Sequence, residues 1–322
     1  GLCILPEGHN VNTSLEVIEA THPVPGKGSL RAAQSALELA GSLTENDQLV
    51  CLISGGASSL MAAPLPGMDP RIKLAIHKAL LASGASISEL NTVRKQLSSV
   101  KGGRLAAKTK AEVINLLVSD VPGDRIEFIA SGPTVPATTG QLDAIAILER
   151  YEIELLDTLR PWLSDPRFAT PAPNDPLFDR VTSFIVAAPS ESLKQASKFL
   201  ESKNIDCWIL SDSIEGDSAT VARVMAEMAL WQKRNCLLKR PLCLLSGGET
   251  TVKVTGHGIG GPNAHFALIL VDALSEEPGI SAIICDTDGV DGAAPVAGAY
   301  VDAETLAKAR FANLSYEDAV MN

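Results

Sequence analysis

The chain has 322 residues, of which 46% are hydrophobic, 20% charged and 4% aromatic, with a formal net charge of -11 and a pI near 5.0. Its length allows two domains of ordinary globular composition. Its acidity argues against a general nucleic-acid binder, and no apolar run approaches the ~20 residues that cross a bilayer.

Short apolar runs alternate with longer helical periods. GLCILP (1–6) and LEVIEA (15–20) read as strands, followed by a helix over about 28–43. QLVCLIS (48–54) is the next strand, then helices over about 69–83 and 87–101. VINLLVSD (113–120) precedes a helix over about 140–149, and LSDPRFATPAPNDPLFD (163–179) carries no period and reads as a surface loop. SFIVAA, a helix over about 190–203, DCWILS, a helix over about 215–235, PLCLLSG, VKVTG, a helix over 262–274 and SAIICD complete the order. Near-continuous apolar runs predict strands buried on both faces, hence a parallel sheet under helices. The expected class is α/β in two domains, the larger a Rossmann-like, mostly parallel sheet flanked by helices. The boundary is expected after KRN, giving domains 1–235 and 236–322. GLC at the start and YEDAVMN at the end suggest that pieces are missing at both ends.

The six cysteines show no CxxC spacing. Cys51, Cys207, Cys243 and Cys285 sit in apolar runs and read as buried reduced thiols, which points to the cytoplasm.

LISGGASS (52–59) and LLSGGETT (244–251) echo each other. Glycines at a strand end expose successive N–H groups, an anion nest to which hydroxyls add donors. Ser54, Gly55, Gly56 and Ser58 are therefore candidates for holding a phosphate or carboxylate. Ser246, Gly247, Gly248, Glu249 and Thr250 are candidates for the same role further along. An empty β-to-α turn is the bland alternative for both. NTVRKQLSSVKGGRL (91–105) carries Arg94, Lys95, Lys101 and Arg104 without an acid. Helical spacing makes Val93, Leu97 and Val100 a buried stripe and Arg94, Ser98 and Lys101 its neighbour, with Gly102 and Gly103 ending the helix. The functional reading is an anion clamp; the bland one is a solvated basic face.

VINLLVSDVPGD releases Asp120 and Asp124 beyond a strand, where carboxylates hold Mg2+ or accept a hydroxyl proton. Asx-turn capping is the alternative. Ser131 and Gly132 follow as a further polar pair. Asp286, Asp288 and Asp291 repeat the pattern after SAIIC, and Asn263 opens a helix after a glycine-dense loop. The five histidines, His22 beside a turn among them, read as structural or peripheral.

HPVPG, LISGGASSLM, NTVRKQLSSVKGGRLA, VSDVPGDRIEFIASGPTVP, LLSGGETTV, GGPNAHFAL and DTDGVDG, in that order from about residue 20 to 298, together resemble the type II glycerate 2-kinases, the MOFRL class. The resemblance implies ATP- and Mg2+-dependent phosphorylation of the 2-hydroxyl of D-glycerate, giving 2-phosphoglycerate and ADP. It also implies a cleft between the two α/β domains, a Gly-rich, Lys-bearing stretch ahead of residue 1 and a terminal segment rich in Gly, Thr and Asn. On this reading Arg94, Lys95, Lys101, Asp120 and Asp124 are catalytic. Ser54, Gly55, Gly56, Ser58, Ser131 and Gly132 bind substrate. Ser246, Gly247, Gly248, Glu249, Thr250, Asn263 and Asp288 face the nucleotide, and Asp120, Asp286 and Asp291 are metal ligands. D-glycerate and ATP are the expected partners, with no nucleic acid or membrane, and a homodimer is left open. Some relatives carry the name hydroxypyruvate reductase, so an NAD(P)H-dependent reductase is the alternative, although no dinucleotide fingerprint is present. A non-catalytic sugar-acid or nucleotide binder is the third reading.

Overall fold

The computed structural model describes residues 1–322 except Pro23, 236–239, Thr255, Glu276, Asp288 and Asn322. Internal contacts divide the chain into two compact units, Gly1–Ala188 and Pro189–Asn322.

Unit 1 begins with parallel strands β1 (Leu2–Pro6) and β2 (Glu16–Ala20), then α1 (Lys27–Ser42). Strand β3 (Gln48–Ile53) leads into the single turn α2 (Ala57–Leu60). Next come α3 (Pro70–Ala82), α4 (Ile87–Gln96) and the short α5 (Arg104–Lys108). Strand β4 (Glu112–Val118), α6 (Gln141–Arg150), α7 (Leu156–Leu163) and β5 (Val181–Ala187) complete it. β3, β4 and β5 form a parallel sheet in that order. A helical core joins Ile76 and Leu80 of α3, Val93 and Leu97 around α4, Leu148 of α6 and Leu159 and Leu163 of α7. Asp69 caps α3 ahead of Pro70, and Ser86 with Glu89 forms a capping box on α4.

Unit 2 holds α8 (Pro189–Glu201), β6 (Asp206–Asp217), α9 (Ser218–Asn235), β7 (Leu242–Thr251), α10 (Pro262–Leu274), β8 (Ser281–Cys285), β9 (Gly298–Asp302), α11 (Thr305–Phe311) and α12 (Tyr316–Met321). β6 and β7 are parallel; β8 and β9 are antiparallel. Ala222, Ala226 and Leu230 of α9 pack with Ala267, Leu270, Val271 and Leu274 of α10 and Val301 of β9.

The α/β class and the parallel sheets agree with the sequence reading; four details differ. Segment 189–235 joins the second unit by contact, because β6 pairs along β7 and α9 lies on α10. The strands are not buried on both faces: Leu49 packs against the Ala33 and Val100 cluster while Leu52, on the opposite face of β3, is 78% exposed. Cys285 is exposed, on the outward register of β8. VKVTG is not a strand in its described residues, whereas Gly298–Asp302, unremarked in the sequence, pairs with Ser281–Cys285. No described helix is long and apolar enough to cross a membrane.

Candidate active site

Unit 1 gathers the charged stretches of the sequence in one place. β3 ends at Ile53, Ser54 is exposed, and Gly56 adopts φ 77° as the N-cap of α2. That left-handed conformation favours glycine. A Cβ on Gly55 would overlap Oδ2 of Asp120 and lie 3.1 Å from its Cγ. A Cβ on Gly56 would lie 3.1 Å from Nε2 of His22. The glycine pair thus sits under a carboxylate from the end of β4 and an imidazole from the loop after β2. His22, read from sequence as peripheral, belongs here; its only sequence signal was its place in HPVPG.

The expected helix over 87–101 ends at Gln96. Ser98 and Ser99 turn their hydroxyls to the carbonyls of Ala63 (3.2 Å) and Pro64 (2.5 Å), which draws the chain out of the helix. Gly102 and Gly103, with φ 61° and 82°, open α5 rather than close α4. Their amides donate to Ser131 O (3.1 Å) and Gly132 O (2.8 Å), which fastens KGGR to ASGP. Ala130, Ser131 and Gly132 are consecutive left-handed residues. Non-glycine residues in that region cost about 1–2 kcal/mol each, so the surrounding contacts must hold them there.

The result buries cations instead of solvating them. Lys95 is 2% and Lys101 3% exposed. Lys101 Nζ donates to Ser58 O (2.6 Å) and Ser58 Oγ (2.9 Å). Ser58 Oγ meets Ser131 Oγ at 3.0 Å, and Ser131 Oγ donates to Asn91 Oδ1 (3.3 Å). Arg94 lies against His77 of α3, with Nε donating to Nδ1 at 3.3 Å and Nη2 2.8 Å from Nε2. Lys95 Nζ stands 4.9 Å from the ring centroid of Phe128. Arg104 is spent structurally, donating to the carbonyls of Lys95, Lys101 and Phe168. Lys73, one turn before His77, joins this group; neither was selected from sequence. Among the described residues, Lys73, Arg94, Lys95 and Lys101 have no carboxylate oxygen within 4.0 Å.

Burial and mutual repulsion mark this cluster. Lys101 is held well below its ordinary value by burial, then by Lys73, Arg94 and Lys95. Burial first, then Arg94 and Arg104, brings Lys73 down to about 7. Burial lowers Lys95 to about 8, and burial with Arg94 and Lys73 lowers His77 to about 4. Groups so perturbed by desolvation concentrate at sites that await a charged ligand.

Asp120 is exposed two residues beyond β4, and Asp124 follows in a turn at φ 53°. Neither side chain caps a described backbone amide, so the Asx-turn alternative does not describe them. Oδ1 of Asp124 is buried without a hydrogen-bond partner. Among the described residues, no three His, Cys, Asp or Glu side chains form a metal cage. Mg2+ fits a different arrangement, one or two carboxylates completed by water and phosphate oxygens, and an unpartnered buried carboxylate oxygen suits it.

Unit 2 places its predicted residues otherwise. Ser246, Gly247, Gly248, Glu249 and Thr250 lie inside β7, not beyond its end; Ser246 pairs with Ser211, and Gly248, Glu249 and Thr250 pair with Ile214, Glu215 and Gly216 of β6, across two register shifts. The strand-end nest expected there is therefore absent; the ladder extends because the irregular pairing lets both strands run on. Asn263 lies in the first turn of α10, where its amide and that of Ala264 donate to Asp291 Oδ1 (3.0 Å) and Oδ2 (2.7 Å). Asp291 is 1% exposed and caps the helix. Asp286 is exposed just past β8, and Asp288 lies outside the described residues. His265 Nδ1 is 2.5 Å from Ser218 Oγ.

The chain is similar to known proteins. Residues 1–164 match a family described as a domain of unknown function, DUF4147, and residues 242–322 match the MOFRL family. A protein of Agrobacterium vitis bearing the name hydroxypyruvate reductase is 42% identical over 98% of this chain and 72% of its own. The D-glycerate 2-kinase of Thermotoga maritima is 36% identical over 95% of this chain and 72% of its own. A crystal structure of glycerate kinase from that organism superimposes with a TM-score of 0.88 at 34% identity, over 100% of this chain and 77% of the other. The chain belongs to the DUF4147–MOFRL family of glycerate kinases.

Proposed function

We propose that the protein transfers the terminal phosphoryl group of ATP to the 2-hydroxyl of D-glycerate, giving 2-phosphoglycerate and ADP. One observation supports this most: among the described residues, half-buried Arg94 and buried Lys95 and Lys101 have no carboxylate oxygen within 4.0 Å, and they lie in the unit whose glycine turn sits under Asp120. Phosphoryl transfer needs little covalent chemistry from the protein; it needs alignment and neutralisation of moving charge. Arg94 and Lys101 hold the glycerate carboxylate and the incoming phosphoryl oxygens, and Lys95 adds charge beside them. The amides of Gly55 and Gly56, with Ser54, Ser58, Ser131 and Gly132, line the acceptor. Asp120 takes the proton of the attacking hydroxyl, and His22 lies over the same turn.

Mg2+, when bound, neutralises phosphate oxygens; Asp124, with Asp120, would hold it. Ligation by Asp286 and Asp291 is the competing assignment, and both oxygens of Asp291 already accept amides. Nucleotide contacts from Ser246, Gly247, Gly248, Glu249, Thr250, Asn263 and Asp288 belong to the same proposal, as does a family-level domain boundary near 235.

The test is ADP release with ATP, Mg2+ and D-glycerate. Glycerate-dependent ADP supports the reading. The name carried by the Agrobacterium vitis relative keeps a second reading in view, and NADH oxidation by hydroxypyruvate without ATP would favour it instead.

A further inference from the structure

We propose that Lys73 is a further anion-contacting residue of this site, and that with Arg94 and Lys101 it selects a small multivalent anion of the phosphate class over a lone carboxylate. The inference rests on the reading of unit 1 as the acceptor and phosphoryl site.

Lys73 sits on α3, one turn before His77, whose ring engages Arg94. Its ammonium has three protons to place. Its one described acceptor is Ala63 O at 3.4 Å, a long bond for a charged donor. That carbonyl already accepts from Ser99 N (3.1 Å) and Ser98 Oγ (3.2 Å). The charged groups that act on Lys73 from the neighbouring elements are Arg94 on α4 and Arg104 on α5, and Lys101 feels it from the turn between them. His77, on its own helix, is a neutral imidazole near pH 7, because burial, then Arg94 and Lys73, hold it at about 4. No described carboxylate oxygen lies within 4.0 Å to offset this charge.

Arg104 donates to three backbone carbonyls and His77 is committed to Arg94, so both are held by the protein itself. Lys95 stands over the Phe128 ring with Glu127 acting on it, which leaves Lys73, Arg94 and Lys101. A monocarboxylate offsets one of these charges; a phosphate ester or free dianion offsets two. An arriving dianion therefore finds Lys73 partly deprotonated, with a value near 7, and draws a proton onto it.

Sulfate is the cleanest probe, because its charge is constant near neutrality. Calorimetry in buffers of different ionisation enthalpy reads both affinity and proton uptake on the whole protein. Three expectations follow: sulfate binds more tightly than D-glycerate alone, Lys73→Met weakens sulfate about tenfold or more through loss of one charge-assisted contact, and Lys73→Arg keeps the affinity but takes up fewer protons. A Lys73→Met protein that binds sulfate with wild-type affinity and proton uptake overturns the proposal, as does absence of sulfate binding to the wild type. If Lys73→Met does not fold, unchanged proton uptake in Lys73→Arg overturns it. The two readings separate cleanly: sulfate binding that depends on Lys73 without glycerate-dependent ADP sinks the kinase assignment alone. Full turnover with sulfate binding indifferent to Lys73 sinks this inference alone.

Discussion

Asp120 lays its carboxylate against the Cα of Gly55, so that a Cβ there would overlap Oδ2. Because Asp120 is exposed, it can swing aside, and Gly55→Ala displaces the carboxylate without unfolding the unit. Turnover should fall about 100-fold, the cost of a misplacement near 1 Å, while the urea midpoint moves little. A loss of stability matching the loss of activity would show that the contact is structural.

Lys101 connects the cationic turn to α2 through Ser58. Lys101→Met keeps the buried stem and removes the charge. Activity should drop by about 10²–10³, as for removal of one preorganised donor to developing negative charge. Stability should hold or rise, since a desolvated ammonium with cationic neighbours is removed. Steady-state kinetics beside thermal unfolding measures both.

Stability in the absence of ligand should depend on pH in two windows. Lys73 holds its proton less tightly when folded, about 7 against the ordinary 10.5. Between these values the unfolded chain keeps a proton that the folded chain has released, so stability rises as pH increases from 7. Below 7 both states are protonated and this dependence ends. His77, at about 4 against 6.5, makes stability fall as pH drops from 6.5 toward 4. Lys95, at about 8, and Lys101, also held low, add to the upper window with the same sign. Urea midpoints across pH check the signs; Lys73→Met should reduce the upper slope without removing it, and His77→Gln should flatten the lower window.

Asp291 accepts the first amides of α10 with both oxygens. Asp291→Ala should cost about 1–3 kcal/mol, the range for a lost cap that also leaves buried donors unmet. Asp291→Asn should recover part of it. If Asp291→Asn instead leaves stability unchanged and raises the Mg2+ requirement, the metal assignment for this residue gains over the capping one.

How much of this was legible depends on how local the signal is. The α1 and α10 periods and the strands through Ile53 and Val118 are written in neighbouring residues, and the sequence places them well. Arg94, Lys95 and Lys101 stood out because no acid interrupts them. Lys73 and His77 did not, because PRIKLAIHKALL reads as an ordinary amphipathic helix until α3 is laid beside α4. The end of α4 at Gln96 was hidden for a similar reason: Ser98 and Ser99 bond to Ala63 and Pro64, more than thirty residues upstream. Gly247 and Gly248 looked like a second strand-end turn because they repeat Gly55 and Gly56, but pairing with the long β6 keeps them in a strand.

Phosphorus NMR of a mixture of the protein, ATP, Mg2+ and D-glycerate tests the central claim most directly. The account predicts a new phosphomonoester resonance that matches 2-phosphoglycerate and grows with ADP, and that Lys101→Met nearly abolishes. No glycerate-dependent phosphoester, or one that forms equally well with Lys101→Met, would contradict it.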